Sequence, residues 1–309
     1  PALVKESSKG SYLEKEEELE PFDSIEINMD YADIRLETSD NGKYGIFYHV
    51  AADAGLKYEV KDGRLTAVKK DPMNYVGMDF AWIGFGRNIA DVDEEYITIR
   101  MPEDAQLSVA DLKSESGNII CKGISEDQMK AVTSYGDARI SSARIQELDA
   151  DLESGVIMIG QAAGRKYNIK SSYGDVLLDD VNLSEDMEVK VESGDLRLQD
   201  VTLRDLNLKS SYGGIDAEHT AFRTMQLSME SGDSCFTDVL FEKCSIKAEY
   251  GNVNLELADD VKDYGYKLNA EYGSINVGGE EMGDTFSTLD WEQERTIEIG
   301  CESGNIVIN

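Results

Sequence analysis

Between residues 105 and 309 apolar and polar residues alternate in short bursts, and the phase of the alternation resets at regular intervals. The resets fall on a Gly followed by a small residue: Gly117, Gly136, Gly155, Gly174, Gly194, Gly213, Gly232, Gly251, Gly273 and Gly304. The first eight are 19 or 20 residues apart, and intervals of 22 and 31 follow. Counted from each Gly, apolar side chains recur at −7 (Met129, Leu148, Met187, Met225, Cys244) and at −5 (Leu112, Ile169, Val189, Leu208, Ile246). After the Gly they recur at +2 (Ile119, Ile157, Val176, Leu196, Ile215, Val253) and +4 (Ile140, Ile159, Leu178, Leu198, Leu255, Ile308). Ile124, Val181, Val201 and Val239 then mark +7, and Ile145, Leu183, Leu203 and Phe222 mark +9.

Alternation within each burst is the period of a strand. The phase slips at the Gly and again near +5/+6. A hairpin on the Gly would point +6 inward, yet Ser142, Gln161, Asp180, Asp200, His219 and Asp238 stand there. The pattern therefore predicts an all-β chain, a single-stranded β-solenoid or β-helix of about 19-residue rungs with three short strands per turn.

The residue before the Gly alternates: Ser116, Tyr135, Ser154, Tyr173, Ser193, Tyr212, Ser231, Tyr250, then Tyr272 and Ser303. Position −3 runs the other way. Thr133, Ser171, Ser210, Ala248 and Ala270 accompany Tyr, whereas Leu152, Val191, Met229 and Cys301 accompany Ser, with Ser114 as the exception. Large beside small, reversed in the next layer, conserves core volume. This reading places −1 inside the coil together with −7, −5 and −3. The tyrosine hydroxyls would be satisfied by Ser and Thr of the same or adjacent layers, and truncating Tyr173 would open a cavity.

The pattern appears once before the array, in "IEINMDYADIRLET", where Ala32 takes the Gly position, so the coil is expected to begin near residue 22. Residues 1–20, with "EKEEELE", read as a solvated tether. Residues 21–104 read as an irregular N-terminal β region continuous with the solenoid, with further strands around turns such as Asp62-Gly63, and 105–309 as the regular array. Ten rungs about 4.8 Å apart make a rod roughly 50 Å long.

The stretch "DPMNYVGMDFAWIGFGRN", residues 71–88, departs most from the repeat. It concentrates Tyr75, Phe80, Trp82 and Phe85 among Gly77, Gly84 and Gly86. One reading is a loop folded over the solenoid, covering strand edges that would otherwise pair with other chains. The other is an exposed aromatic patch, which makes those four aromatics the candidate partner-binding residues. Residues 278–300, with Trp291, suggest a similar flap near the C-terminal cap.

Charge narrows the partners. Lys and Arg number 30 against 62 Asp and Glu, a net charge of −32, which argues against nucleic acid and anionic lipid. No apolar run is long enough to cross a bilayer. The chain starts at Pro1 without Met, so a mature or trimmed form without its leader or anchor is expected.

No chemistry emerges from the remaining residue types. Four Cys without a CxxC pair suit neither a disulfide scaffold nor a zinc site. Cys121, Cys244 and Cys301 fall on inward positions and Cys235 on an outward one, so free thiols are predicted. His49 and His219 are the only histidines, and neither supports a Ser-His-Asp arrangement. Glu115, Glu153, Glu192 and Glu230 at −2 alternate with Ser134, Ser172 and Ser211, which suits charge spacing rather than paired carboxylate catalysis. The corner residues Asp137, Asp175, Asp195, Asp233, Asn118, Asn252 and Asn305 lack the nine-residue repeat of calcium-binding β-rolls and read as turn chemistry. No catalytic residue, cofactor or metal ligand is assigned.

The segments "FDSIEINMDYADIRLETSD", "YEVKDGRLTAV", "ITIRMPEDAQLSV" with "SESGNI", and the closing "CESGNIVIN" resemble the bacterial "putative adhesin", or toastrack, domains. The resemblance covers nearly the whole chain after the tether. It implies a β-solenoid located outside the membrane, in a family often attached to envelope anchors or regulators. The role it implies is a non-catalytic, extracytoplasmic binding or scaffolding module of the bacterial cell envelope, with a cell-surface glycan or an envelope protein as partner. The competing roles are an envelope-stress sensing domain acting through a protein partner and a carbohydrate-active β-helix enzyme.

Overall fold

The computed structural model describes residues 3–6, 12–51, 55–70, 94–289 and 294–309. Twenty-five strands among them form one continuous sheet that coils as a β-solenoid. Neighbouring layers pair in parallel, as in Ala138↔Ile157, Val176↔Leu196 and Ile215↔Ser234, with a shift of register between Phe236 and Val239 where the last of these layers meets Val253–Leu257. The hairpin alternative is thereby excluded. Positions −7, −5, −3, +2, +4, +7 and +9 point inward as expected: around Gly174, residues Tyr167, Ile169, Ser171, Val176, Leu178, Val181 and Leu183 are all buried.

Two corners make the phase slips. At +6, Ser142, Gln161, Asp180, Asp200, His219 and Asp238 hold left-handed φ angles of 51–54°, a region that Asp, Asn and His enter more readily than other non-glycine residues. At the first corner the layers stack glycine on glycine. A Cβ on Gly174, at φ 144°, would lie 2.0 Å from the carbonyl oxygen of Gly155, so no other residue fits.

That contact overturns one expectation. The tyrosines at −1 do not enter the coil: Tyr135, Tyr173, Tyr212, Tyr250 and Tyr272 are 61–75% exposed. Close backbone approach at the corner leaves the interior there to the −3 side chain. Small hydroxyls at −3 serve the corner itself. Ser171 Oγ donates to the Gly174 carbonyl at 2.8 Å, and Thr133 Oγ1 to the Gly117 carbonyl at 3.2 Å. The volume alternation holds within the −3 column alone, where Leu152, Ser171, Val191, Ser210 and Met229 stack in successive layers.

Spatial order departs from chain order at both ends. Ser24–Met29 lies between Arg64–Lys69 and Leu107–Ser114, so the first layer in sequence is second in space. Thr296–Ser303 lies between the Ser234–Tyr250 strand and Gly265–Tyr272, so the last is next to last. Twelve layers result, in a stack roughly 55 Å long.

Antiparallel strands close both ends. Gly45–Ala51 covers Tyr96–Met101 and Lys57–Lys61 covers Arg64–Lys69 through the Asp62-Gly63 turn. Thr285–Ser287 and Glu280–Gly283 cover the last layer. Residues 12–18, expected within a tether, instead form the strand Tyr12–Glu18 on Gly45–Ala51. Such caps cover strand edges of the coil that would otherwise be open to further strands.

One buried group breaks the pattern. Glu126 takes a +9 position, stacked on Ile145 and Leu107, and is 1% exposed, with neither carboxylate oxygen hydrogen-bonded among the described residues. Burial pushes its pKa up to about 8. Cys121, also buried, has its thiol raised well above the ordinary range by burial first and by the Glu126 charge second.

Two outcomes follow. Tyr173→Ala should shift stability by no more than about 0.5 kcal/mol, as on any surface, whereas Gly174→Ala should cost roughly 3 kcal/mol or more; urea melts of the two variants check the pair. Glu126 keeps its proton in the folded chain across pH values where the unfolded chain has lost it. The contribution of Glu126 to stability is therefore full below about pH 4.5 and is lost as pH rises toward 8, by at most roughly 1.4 kcal/mol per pH unit. In Glu126→Gln that slope should vanish.

Candidate functional site

The coil turns −1 outward at every layer, so the Tyr and Ser alternation becomes a surface stripe parallel to the solenoid axis. Direct register runs Tyr135, Ser154, Tyr173, Ser193, Tyr212, Ser231, Tyr250, Ser303, Tyr272. The exchanged C-terminal strand thus preserves the alternation in space that the sequence breaks. Tyr31, also exposed, starts the stripe below the layer of Ser116. Successive rings stand two layers apart, about 9.6 Å. Among the described residues, the phenols of Tyr135, Tyr173, Tyr212, Tyr250 and Tyr272 make no hydrogen bond and no ring contact.

Acidic columns flank the stripe. On one side Glu115, Glu153, Glu192 and Glu230, all exposed, occupy −2 in the Ser layers, while the first Tyr layers carry Ser134, Ser172 and Ser211; from Tyr250 on the column is acidic in every layer, with Glu249, Glu302 and Glu271. Beyond them a −4 column carries Lys113, Lys170, Lys190, Lys209 and Lys247. Lys190 reaches Glu192 at 2.9 Å, but Lys113 pairs with Asp111 and Lys209 with Glu188. Glu115, Glu153 and Glu230 have no cationic partner among the described residues.

On the other side the +1 residues form a hydrogen-bonded ladder. Each Asx side chain accepts from the backbone N–H one layer on: Asp33 Oδ1 from Asn118 at 2.8 Å, Asn118 from Asp137 at 2.9 Å, Asp175 from Asp195 at 2.9 Å, Asp195 from Gly214 at 2.8 Å and Asp233 from Asn252 at 2.7 Å. Satisfying these backbone donors is the local role of the corner carboxylates. The ladder stops where Val156 and Gly214 have no acceptor to offer. Beside Gly214 this leaves a surface hollow of about 310 Å³ lined by Asp175, Asp195, Asp233, Leu177 and Arg197.

The other groups singled out in the sequence lie elsewhere. His219 sits at the second corner, 3.9 Å from Asp200 and 3.8 Å from Asp238. His49 is stacked between Tyr12 and Tyr96 in the N-terminal cap. Cys121, Cys244 and Cys301 are buried and Cys235 exposed, all as free thiols. Among the described residues no group of three or more His, Cys, Asp or Glu comes together as a metal site. Tyr75, Phe80, Trp82 and Phe85 lie outside the described residues, as does Trp291.

The family profile described as Toastrack DUF4097 matches the chain twice, over residues 22–186 and 165–309. Among solved structures the chain is similar to a "putative adhesin" from Parabacteroides distasonis, at 14% identity and a TM-score of 0.57 over 80% of this chain and 98% of that one. A "putative adhesin" from Bacteroides fragilis matches at 14% identity and a TM-score of 0.43, covering 81% and 99%. A "putative lipid binding protein" from Parabacteroides distasonis matches at 13% and 0.44, covering 96% and 97%. Of the three, the first shares the fold. Among curated proteins none matches the chain.

Since the ladder needs an acceptor rather than a charge, Asp195→Asn should leave stability unchanged. Asp195→Ala should cost about 1–3 kcal/mol by stranding the Gly214 N–H. Thermal melts of both variants, with and without added calcium, check this; a calcium-dependent rise in wild-type Tm would contradict the ladder account.

Proposed function

Because the chain belongs to the Toastrack DUF4097 family, we propose that it is a non-catalytic binding module of the bacterial cell envelope, working outside the cytoplasm, with the tyrosine stripe as its contact surface. The observation that carries this reading is the exposure of six aligned tyrosines, Tyr31, Tyr135, Tyr173, Tyr212, Tyr250 and Tyr272, at 51–75%. Folding does not require a large aromatic there, since Ser occupies the same corner in alternate layers. Tyr supplies broad amphipathic contact area at small cost in conformational entropy. A strand backbone hydrogen-bonded on both sides holds each ring at a set height.

The name of the Parabacteroides distasonis structure, "putative adhesin", supports a binding role. So does the placement of the carboxylates. Glu115, Glu153, Glu192 and Glu230 stand exposed on an outward ridge, whereas glycoside hydrolysis needs two carboxyl groups converging on one bond. The partner this surface suits is elongated, matching a stripe that runs along the rod: a cell-surface glycan or an extended segment of an envelope protein.

The test replaces Tyr135, Tyr173, Tyr212 and Tyr250 together with Ser, the residue the fold already accepts at that corner. Wild type and variant are compared on a glycan array and on an array of extended peptides. The expected result is a wild-type signal on one array that the variant loses while its circular dichroism and Tm are retained. Identical profiles for the two proteins would overturn the assignment of the stripe.

A further inference from the structure

We infer that the stripe takes a basic polypeptide segment in the polyproline II conformation, lying along the solenoid axis with a Lys or Arg at every third position. This rests on the reading of the stripe as the contact surface and adds the chemistry of its occupant. The juxtaposition behind it is of Tyr135, Tyr173, Tyr212 and Tyr250 in alternate layers with carboxylates in the layers between.

Spacing is the first argument. Layers of the sheet are about 4.8 Å apart, so rings in alternate layers repeat every 9.6 Å or so. A polyproline II chain rises about 3.1 Å per residue with three residues per turn, presenting the same face every 9.3 Å or so. Over four tyrosines the two repeats drift apart by only about 1 Å. An extended β-strand presents one face about every 6.7 Å and loses register after the first ring. Polyproline II segments also bind on aromatic surfaces elsewhere in protein recognition, because the conformation is preformed and little entropy is lost.

Charge is the second argument, and it selects among polyproline II chains. Between successive rings the −1 residue is a small Ser, and beside it at −2 stands Glu153, Glu192 or Glu230. Across the ridge lie Asp137, Asp175, Asp195 and Asp233, each offering one carboxylate oxygen to its neighbour's N–H. The second oxygen of Asp137 pairs with Arg139 at 2.9 Å, and those of Asp175, Asp195 and Asp233 remain for a ligand. A cationic side chain in the gap between two rings thus meets carboxylates on both sides and aromatic faces above and below. The lysines at −4 lie beyond the glutamates, on the side away from the ring column. The net charge of −32 adds long-range attraction for a basic chain and repels an acidic one.

The experiment is fluorescence anisotropy with labelled peptides on the intact chain. The probes are a Pro-Pro-Lys repeat, a Pro-Pro-Pro-Lys repeat of equal charge, a Pro-Pro-Glu repeat, and an uncharged β-linked oligosaccharide. The Pro-Pro-Lys repeat should bind about tenfold or more tighter than the four-residue repeat, because only the former keeps successive contacts in register. Its binding should weaken as salt is raised, the Pro-Pro-Glu repeat should not bind, and the four-tyrosine Ser variant should lose the preference for the three-residue repeat. Equal affinity for the two basic repeats, or equal affinity of wild type and variant, would overturn the inference in favour of unspecific charge attraction. Tyrosine-dependent binding of the oligosaccharide without binding of Pro-Pro-Lys would overturn the inference and leave the stripe as the contact surface. No tyrosine-dependent binding of any probe would overturn both.

Discussion

In each layer of the regular array the corner glycine rests against the carbonyl oxygen of the corner residue one layer below, at a distance no side chain can share. The remaining geometry depends on that contact. It sets the height of each layer, closes the interior at the first corner, and pushes the −1 residue to the outside. It also makes the corner carbonyls and N–H groups needy. The −3 hydroxyls and the +1 Asx ladder meet that need, so the corner carboxylates, weighed in the sequence against a calcium-binding repeat, are occupied with backbone hydrogen bonds.

The columns at −7, −5, +2, +4, +7 and +9 were legible in the sequence because each lies within a straight strand, where alternation is a reliable guide to facing. The tyrosines were misplaced because the alternation was carried one step too far, through −3 and into the corner. An alternation argument holds only while the backbone stays extended, and Tyr173 is where it stops. Turned outward by the corner, the same tyrosines form the stripe. Glu126 is legible through alternation too, since it stands in a stacked column that continues with Ile145, Gly164, Leu183, Leu203, Phe222 and Phe241.

Strand exchange at the ends was not legible, for a different reason. A repeat specifies what a layer looks like and says little about which layer lies above it. The segment around Cys301 fits equally on Ala248 and on Ala270, and it takes a place between them. The intervals of 22 and 31 residues were the trace of this in the sequence: they leave room for chain to pass the last layer and return. Placing the final strand next to last gives it parallel partners on both sides. The outermost layer is left to segments that also carry their own antiparallel covers. The same arrangement at the N-terminus, with Ser24–Met29 between two later strands, shows that both ends meet the same edge problem in the same way.

The exchange also bears on the surface. Read along the chain, the alternation fails at its end, where Tyr250 is followed by Tyr272. Read through space it continues, because Ser303 is inserted between them. An alternation kept only for the fold would have no need to survive at the outside of the last layers, where Ser and Tyr are sterically equivalent. Its persistence through a change of strand order points to the stripe as a surface with its own period. That period is two layers, twice the period of the hydrogen-bonded stack. The interior −3 column shares it, with Leu152, Val191 and Met229 alternating against Ser171 and Ser210. The unit that repeats over Tyr135–Ser231 is therefore a pair of turns, one carrying an aromatic outside and a small residue inside, the other a Ser outside and a large residue inside.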